Sequence, residues 1–191
     1  MKIVQYPHPA LRWKSKPIAE INAELRRTVA EMFELMYESQ GIGLAANQVA
    51  LPFRLFVMDT AAEDDDRCQK LVFINPEIRS RKGSVEGEEG CLSLPELFGQ
   101  VRRAEQIVVD AFDLQGREFT LPLADLPGRV VQHEHDHLDG VLFVDRMSDT
   151  SRSELQDRLG DFEARFHRQQ AAGEYPSDDD IERELQALEP N

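Results

Sequence analysis

The chain has 191 residues, 41% of them hydrophobic, with 22 Lys and Arg against 36 Asp and Glu and a net charge of -14. That length suits one domain with a sizeable core plus a tail, and the acidic balance argues against a DNA partner. No apolar run approaches membrane-spanning length, and the start, "MKIVQYPHPALRWKSKP", lacks the apolar core of a signal peptide. A cytoplasmic protein with its two cysteines, Cys68 and Cys91, reduced is expected.

Pro7, Pro9 and Pro17 punctuate residues 1–20 and predict irregular chain. Asn22 is a suitable N-cap for a helix running to about Gln40, with Leu25, Val29, Met32, Phe33 and Met36 at helical spacing as its core face. "FRLFVMD" (53–59) and "LVFINPEI" (71–78) read as strands. Between them "AAEDDDRCQK" reads as a surface loop, its aspartates a solvated charge run and Cys68 without a role. Residues 105–124 predict a hairpin turning around Asp113–Gly116.

A helix then carries "RVVQHEHDHL", with Asp125 as a candidate cap and Pro127 in the first turn. Another is expected from Ser151, where Ser151 and Glu154 fit a capping box. Leu155, Leu159, Phe162 and Phe166 form its apolar stripe. One domain is expected over residues 1–170. Residues 171–191 are expected as an acidic tail, either disordered or a short helix. Ile181, Leu185 and Leu188 share one helical face there, but the charge density favours solvation.

The chemistry concentrates in "QHEHDH" (132–137). His133 and His137 are four residues apart, so a helix presents both imidazoles on one face, where they can chelate one divalent cation. Glu134 follows the first histidine, as in an HExxH arrangement whose carboxylate serves as general base to a metal-bound water. His135 sits roughly 200° round the helix from His133 and reads as a surface residue. A catalytic metal needs a third protein ligand and an open position. His167 is the one downstream histidine. The other candidate is Cys91 in "EGCLSLPE", flanked by Gly90 and by turn-forming Ser93 and Pro95, a setting that suits a ligand better than a packing residue. "GIGLAANQV" (41–49) lacks the lysine of a phosphate loop and reads as a place where backbone approaches a ligand closely, with Gln48 adding a neutral amide.

"GIGLAANQ", "EGCLS" and "QHEHDH" together, with "QYPHPALR" and "VRRAE", resemble the signature motifs of the peptide deformylase family over roughly residues 1–150. The resemblance implies an α+β fold, mainly antiparallel sheets packed around a central HExxH-bearing helix with helices near both ends. It implies hydrolytic removal of the formyl group from N-terminal formyl-methionine of newly made polypeptides. Cys91, His133 and His137 would hold one divalent metal, Fe(II) with Zn, Ni or Co able to replace it. Glu134 would shuttle the proton of a metal-bound water, and Gln48 and the Leu92 N–H would stabilise the oxyanion. Ile42, Gly43 and Gly90 would pair with the peptide, and Ile42, Leu126, Val130 and the His133 ring would wall the methionine pocket. Asp136 would orient a ligand histidine or pair with Arg103.

Two departures bear on that picture. Gln40 stands where relatives carry Glu, which puts an ion pair from that position to Arg103 in question. Pro127 and Gly128 replace helix formers beside the pocket. The expected partners are formylated nascent N-termini, with transient ribosome contact left open and a monomer favoured. The acidic end argues against RNA docking, and ending the chain at Gly173 is expected to leave folding and turnover intact.

Overall fold

A computed structural model describes residues 1–60 and 69–190. The acidic run Asp64–Asp66 and Cys68 lie outside the described residues. Asn22 caps the first helix, α1 (Ala23–Glu38), its Oδ1 accepting the Leu25 N–H at 2.9 Å. Seven strands follow: β1 (Gly43–Ala45), β2 (Leu55–Met58), β3 (Leu71–Lys82), β4 (Val85–Cys91), β5 (Leu94–Arg103), β6 (Gln106–Phe112) and β7 (Glu118–Ala124). Next come α2 (Asp125–Leu138), α3 (Asp149–Glu154), α4 (Gln156–Ala171) and α5 (Asp178–Leu188). The strands form a five-stranded antiparallel sheet in the order β1-β2-β3-β6-β7, and a separate ribbon of β4 and β5. No helix among the described residues is long and apolar enough to cross a membrane.

The α+β architecture follows from the period of the apolar residues. Successive strand side chains point to opposite faces. Leu55, Val57 and Ile74 accordingly meet the Leu25–Met36 stripe of α1. Phe56, Met58 and Phe73 point the other way and pack with Val130, Val131 and Leu138 of α2. The sheet is thus covered on both faces at β2, which explains why that stretch reads as an unbroken apolar run rather than an alternation. Phe56 and Phe73 stack with ring centroids 4.6 Å apart.

β2, β3 and the β6–β7 hairpin form where the sequence predicts them, although β3 runs on to Lys82 and the ranges of β1, β4 and β5 were not predicted. Three helix ends differ from expectation. Asp125 is not a cap: Ala124 holds the N-cap position of α2 without a side-chain bond, and Asp125 enters the helix at φ 50°. The capping box expected at Ser151 and Glu154 is replaced by Ser148, whose hydroxyl accepts the Ser151 N–H at 3.2 Å and starts α3. Ser148 carries the same chemistry three residues earlier, and the expected single helix breaks at Leu155 into α3 and α4.

The acidic end is also not solvated along its apolar face. Ser177 caps α5, and Ile181 and Leu185 are buried among Val4, Ala10, Leu11 and Phe166, while Leu188 remains 48% exposed. Most of the acids are exposed, and Glu189 accepts a bond from Trp13 Nε1 at 3.1 Å, so charge density did not oppose docking.

Candidate active site

Helix α2 brings His133 and His137 to one face beneath the sheet, and the end of β4 brings Cys91 against them. The ligand atoms of Cys91, His133 and His137 lie within 4.8 Å of one another. Cys91 is free and half-buried, and its Sγ is 3.3 Å from His137 Nε2. His133 Nδ1 is 2.9 Å from Glu89 Oε2. With a carboxylate accepting, Nδ1 carries the proton and Nε2 is left to face the cluster. His167 lies on α4, exposed and outside the cluster, so of the two candidates for a third ligand only Cys91 is brought to the histidines.

This donor set fits a divalent metal. A thiolate and two imidazoles suit Zn or Fe and leave a fourth position open. Glu134 fits the same arrangement as a non-ligand. It is 4% exposed, and its Oε2 is buried with no hydrogen-bond partner among the described residues. An orphaned buried oxygen is costly unless something occupies the space it faces. Burial is the main cause that pushes its carboxyl up to about 7, against the opposing pull of His133. The two imidazoles diverge. Burial works against charge on His133, but hydrogen bonds to Cys91 and Glu89 outweigh it and raise its pKa. Burial, then the charge of His133, drives His137 down.

The cluster opens on a cleft of about 690 Å³ lined by Ile42, Gly43, Gln48, Gly90, Cys91, Leu92, Leu126, Val130, His133 and Glu134, among others. Every site residue named from the sequence lines it except His137, which is fully buried behind the others. Gln48 is buried and held in one orientation: its Oε1 accepts the Ala45 N–H at 2.8 Å. Its Nε2 therefore faces Cys91 Sγ at 3.4 Å and Ser93 Oγ at 3.3 Å. Gly43 permits the close approach expected of its segment, since a Cβ there would meet the Glu134 carboxylate at 2.5 Å. β1 is an edge strand of the sheet, so its outer backbone is available to an extended peptide. Ile42 and Leu126 are exposed apolar residues on the cleft wall, and Pro127 and Gly128 lie within the first turn of α2 without displacing Leu126 or Val130 from the lining.

Two readings of the helix need correction or completion. His135 is not a surface residue: its side chain is 13% exposed and lies between Arg54 and Asp139. It faces away from the cluster, as its helical angle requires. Asp136 pairs with Arg103 and, through two bonds, with Arg146. It is Glu89, not Asp136, that bonds His133. Arg103 is satisfied by Glu89 and Asp136, so no acid at position 40 is needed.

Glu89 was missed from the sequence. It is 6% exposed and accepts bonds from Arg103 Nε at 2.8 Å, Arg103 Nη2 at 2.9 Å and Arg129 Nη1 at 2.8 Å, besides facing His133. Burial alone would raise its carboxyl, but the bonds to Arg103 and His133 prevail and hold it well below the usual carboxylate range. The signal in the sequence was weak: Glu89 stands two residues before Cys91, but the register of the ribbon shifts between Gly90 and Cys91, so strand alternation does not relate the two side chains.

Comparison with known proteins converges on one family. The polypeptide deformylase family model matches residues 1–153. The chain is 43% identical over 173 residues to a peptide deformylase of Rhodopirellula baltica, covering 91% of this chain and 86% of that one. It is 44% identical over 173 residues to one of Acidobacterium capsulatum, covering 91% and 97%. The structure superposes on peptide deformylase 1B of Arabidopsis thaliana, solved with an inhibitor, with a TM-score of 0.85 at 38% identity over 90% of this chain and 94% of that one.

Proposed function

The chain belongs to the polypeptide deformylase family and removes the formyl group from the N-terminal formyl-methionine of newly made polypeptides; we propose that it does so with Cys91, His133 and His137 holding one divalent metal and Glu134 carrying the proton. The observation that carries this assignment is the convergence of one thiol and two imidazoles beside a buried carboxylate, one oxygen of which has no partner among the described residues.

A divalent ion held by Cys91, His133 and His137 would supply Lewis acidity, making water a stronger acid and favouring negative charge on the formyl oxygen. Glu134 accepts the proton of the attacking water as oxygen bonds to the formyl carbon. The Gln48 amide and the Leu92 N–H receive the negative charge that develops on the formyl oxygen. The Oε1 anchor on Ala45 supports this role, because the amide is preorganised before substrate arrives. Glu134 then returns the proton to the departing nitrogen as the C–N bond breaks. The products are formate and a free N-terminal amine.

The peptide pairs with the edge of β1 near Ile42 and Gly43 and with Gly90 opposite, an added strand in an extended cleft. Its methionine lies against Ile42, Leu126, Val130 and the His133 ring, which is supported by their shared place in the cleft wall. The ion is Fe(II), as the family resemblance implies, with Zn, Ni or Co able to substitute, since the thiolate-imidazole donor set accepts each of them. The enzyme works as a cytoplasmic monomer. Residues 1–170 constitute the catalytic domain, with α5 as an appendage to it.

The test joins metal content to product. Anaerobically purified protein should carry near one metal per chain and release formate from formyl-Met peptides far faster than acetate from acetyl-Met peptides. Cys91→Ala should lose the metal. Tight, stoichiometric metal in that variant would overturn the ligand assignment, and equal rates on both peptides would indicate a broader amidase. Iron-loaded enzyme that kept its activity for days in air would count against Fe(II), because such thiolate sites oxidise.

A further inference from the structure

Two structural units carry the metal ligands: β4 carries Cys91, and α2 carries His133 and His137. They are distant in sequence, and something must fix their separation. Arg129 spans them. It lies four residues before His133 on α2, so the two side chains are neighbours on one helix face. Its Nη1 donates to Glu89 Oε1 at 2.8 Å, to the Val101 carbonyl at 3.0 Å and to the Gly87 carbonyl at 3.4 Å. Its Nη2 donates to the Val85 carbonyl at 3.2 Å. Three of these four acceptors are main-chain oxygens, on both strands of the ribbon. The side chain is 14% exposed. The ribbon is shaped to receive it, since a Cβ at Gly87 would meet the guanidinium at 2.9 Å.

Glu89 closes the triangle. It stands two residues before Cys91 and faces His133 Nδ1 at 2.9 Å. Arg103 grips Glu89 from within the ribbon, through Nε and Nη2. Arg129 grips it from the helix. Arg103 also reaches α2, through Asp136, but Arg129 ties the helix that bears the histidines directly to the carboxylate that faces one of them.

We propose that Arg129 is a positioning residue for the metal centre: by clamping the β4–β5 ribbon to α2 and holding Glu89, it sets the orientation of His133 relative to Cys91. The inference rests on the Cys91–His133–His137 ligand set proposed above. Arginine suits the task better than lysine, because its planar fork serves several acceptors at once, and the acceptors here diverge. Glycine at position 87 follows from the same clamp. Arg129 also lines the substrate cleft, so a change in turnover alone would not separate positioning from substrate contact.

The test therefore reads the metal site without substrate. Zinc affinity is measured by competition with a chromophoric chelator, and the visible spectrum of the cobalt(II)-loaded protein reports ligand geometry. Partners that orient metal-bound histidines are worth about 10–100-fold in affinity. Arg129 is one bond further out, so Arg129→Gln should weaken zinc by about 10-fold, near the lower end of that range, and shift the cobalt bands. Arg129→Lys should fall between Gln and wild type, and is read in its place if Arg129→Gln does not fold. Glu89→Gln should weaken zinc further. The double variant should lose less than the sum of the two single losses, because part of the action of Arg129 passes through Glu89.

Arg54→Gln is the structural control. It breaks the Arg54–Asp139 pair at the end of α2, a 2.8 Å contact remote from Glu89, and should lower the melting temperature while leaving the cobalt spectrum unchanged. Wild-type zinc affinity and cobalt bands in Arg129→Gln, whatever its melting temperature, would overturn the proposal. So would losses from Arg129→Gln and Glu89→Gln that add in full. If the wild-type protein holds zinc no better than Cys91→Ala, the ligand set itself is wrong, which is a separate outcome.

Discussion

Leu185→Ala tests whether α5 is part of the folded domain. Leu185 is 2% exposed and packs with Val4, Ala10, Leu11 and Phe166. Deleting a buried leucine side chain costs about 2–5 kcal/mol, the spread depending on how far the site collapses. Here a cleft of about 320 Å³ lies alongside, lined by Ile181, Leu185 and Leu188 with Val4 and Val49. Open space on one side lets neighbours relax and leaves fewer contacts to lose. The expectation is therefore the lower part of the range, about 2–3 kcal/mol. For a chain of this size 1 kcal/mol shifts the melting temperature by about 2–4 °C, so the drop should be about 4–12 °C. Thermal unfolding followed by circular dichroism, with zinc held saturating in all samples, measures it. Leu188→Ala is the control: at 48% exposure it should change stability by no more than about 0.5 kcal/mol. Ending the chain at Gly173 should cost more than Leu185→Ala, because it also removes Ile181 and the Tyr175 ring packed against His8. Turnover of short formyl peptides below the melting temperature should persist, since no residue of α5 lines the catalytic cleft. A melting temperature unchanged to within a degree in both Leu185→Ala and the truncated chain would refute the docking of α5 and restore the solvated tail.

Glu134→Gln should keep zinc affinity near wild type and lower kcat by about 10²–10⁴-fold, the usual range for a general acid–base group; near-normal turnover would remove Glu134 from the chemistry. Gln48→Leu should slow turnover by about 10²–10³-fold without emptying the metal site, as loss of an oxyanion donor does, and unchanged kcat would make Gln48 purely structural. Burial, and secondarily Lys2, lowers the pKa of His8 from 6.5 to about 4. The unfolded chain then binds more protons than the folded one between those values, so stability falls as pH drops from 6.5 to 4. His8 Nδ1 accepts the Ala10 N–H at 3.2 Å. His8→Asn can preserve that acceptor while removing the titration, and its melting temperature should decline less steeply across this window. Identical slopes for the two proteins would show that His8 does not contribute.

What was legible in the sequence was local. The α1 stripe, the hairpin and the imidazole pair on α2 all depend on residues within a few positions of each other, so period and spacing suffice. Ser148 and Ser151 show the limit even there: two serines near a helix start have the same capping chemistry, and which one caps depends on where the chain enters. By spacing alone Cys91 was one of two candidates for a third ligand; the motif resemblance singled it out, and the fold places it beside the two imidazoles. The α5 error had another cause. Net charge describes a whole segment, but docking depends on one face, and Ile181 and Leu185 are buried on a face with Glu184 at its rim. His135 failed similarly: facing away from the metal ligands does not mean facing water, because α2 is covered on more than one side.

The ion network around Glu89 could not be read from spacing, and its energetics explain what it is suited to do. Glu89 and Asp136 are buried with Arg103, while Arg129 and Arg146 reach in from the edges. Buried ion pairs are weak evidence for stability, since desolvation offsets much of the attraction, yet removing one member leaves a charge stranded. Such a network therefore contributes little by existing but strongly penalises any arrangement that breaks it. Each arginine here joins separate elements. Arg103 links β5 to β4 through Glu89 and to α2 through Asp136, and Arg146 holds Asp136 from the segment after α2. Arg129 links α2 back to the ribbon. A hydrophobic replacement of equal volume would fill the space but tolerate small slips between helix and ribbon. Directional bonds do not, and small slips are what a thiol on one element and two imidazoles on another cannot absorb while holding a common ion.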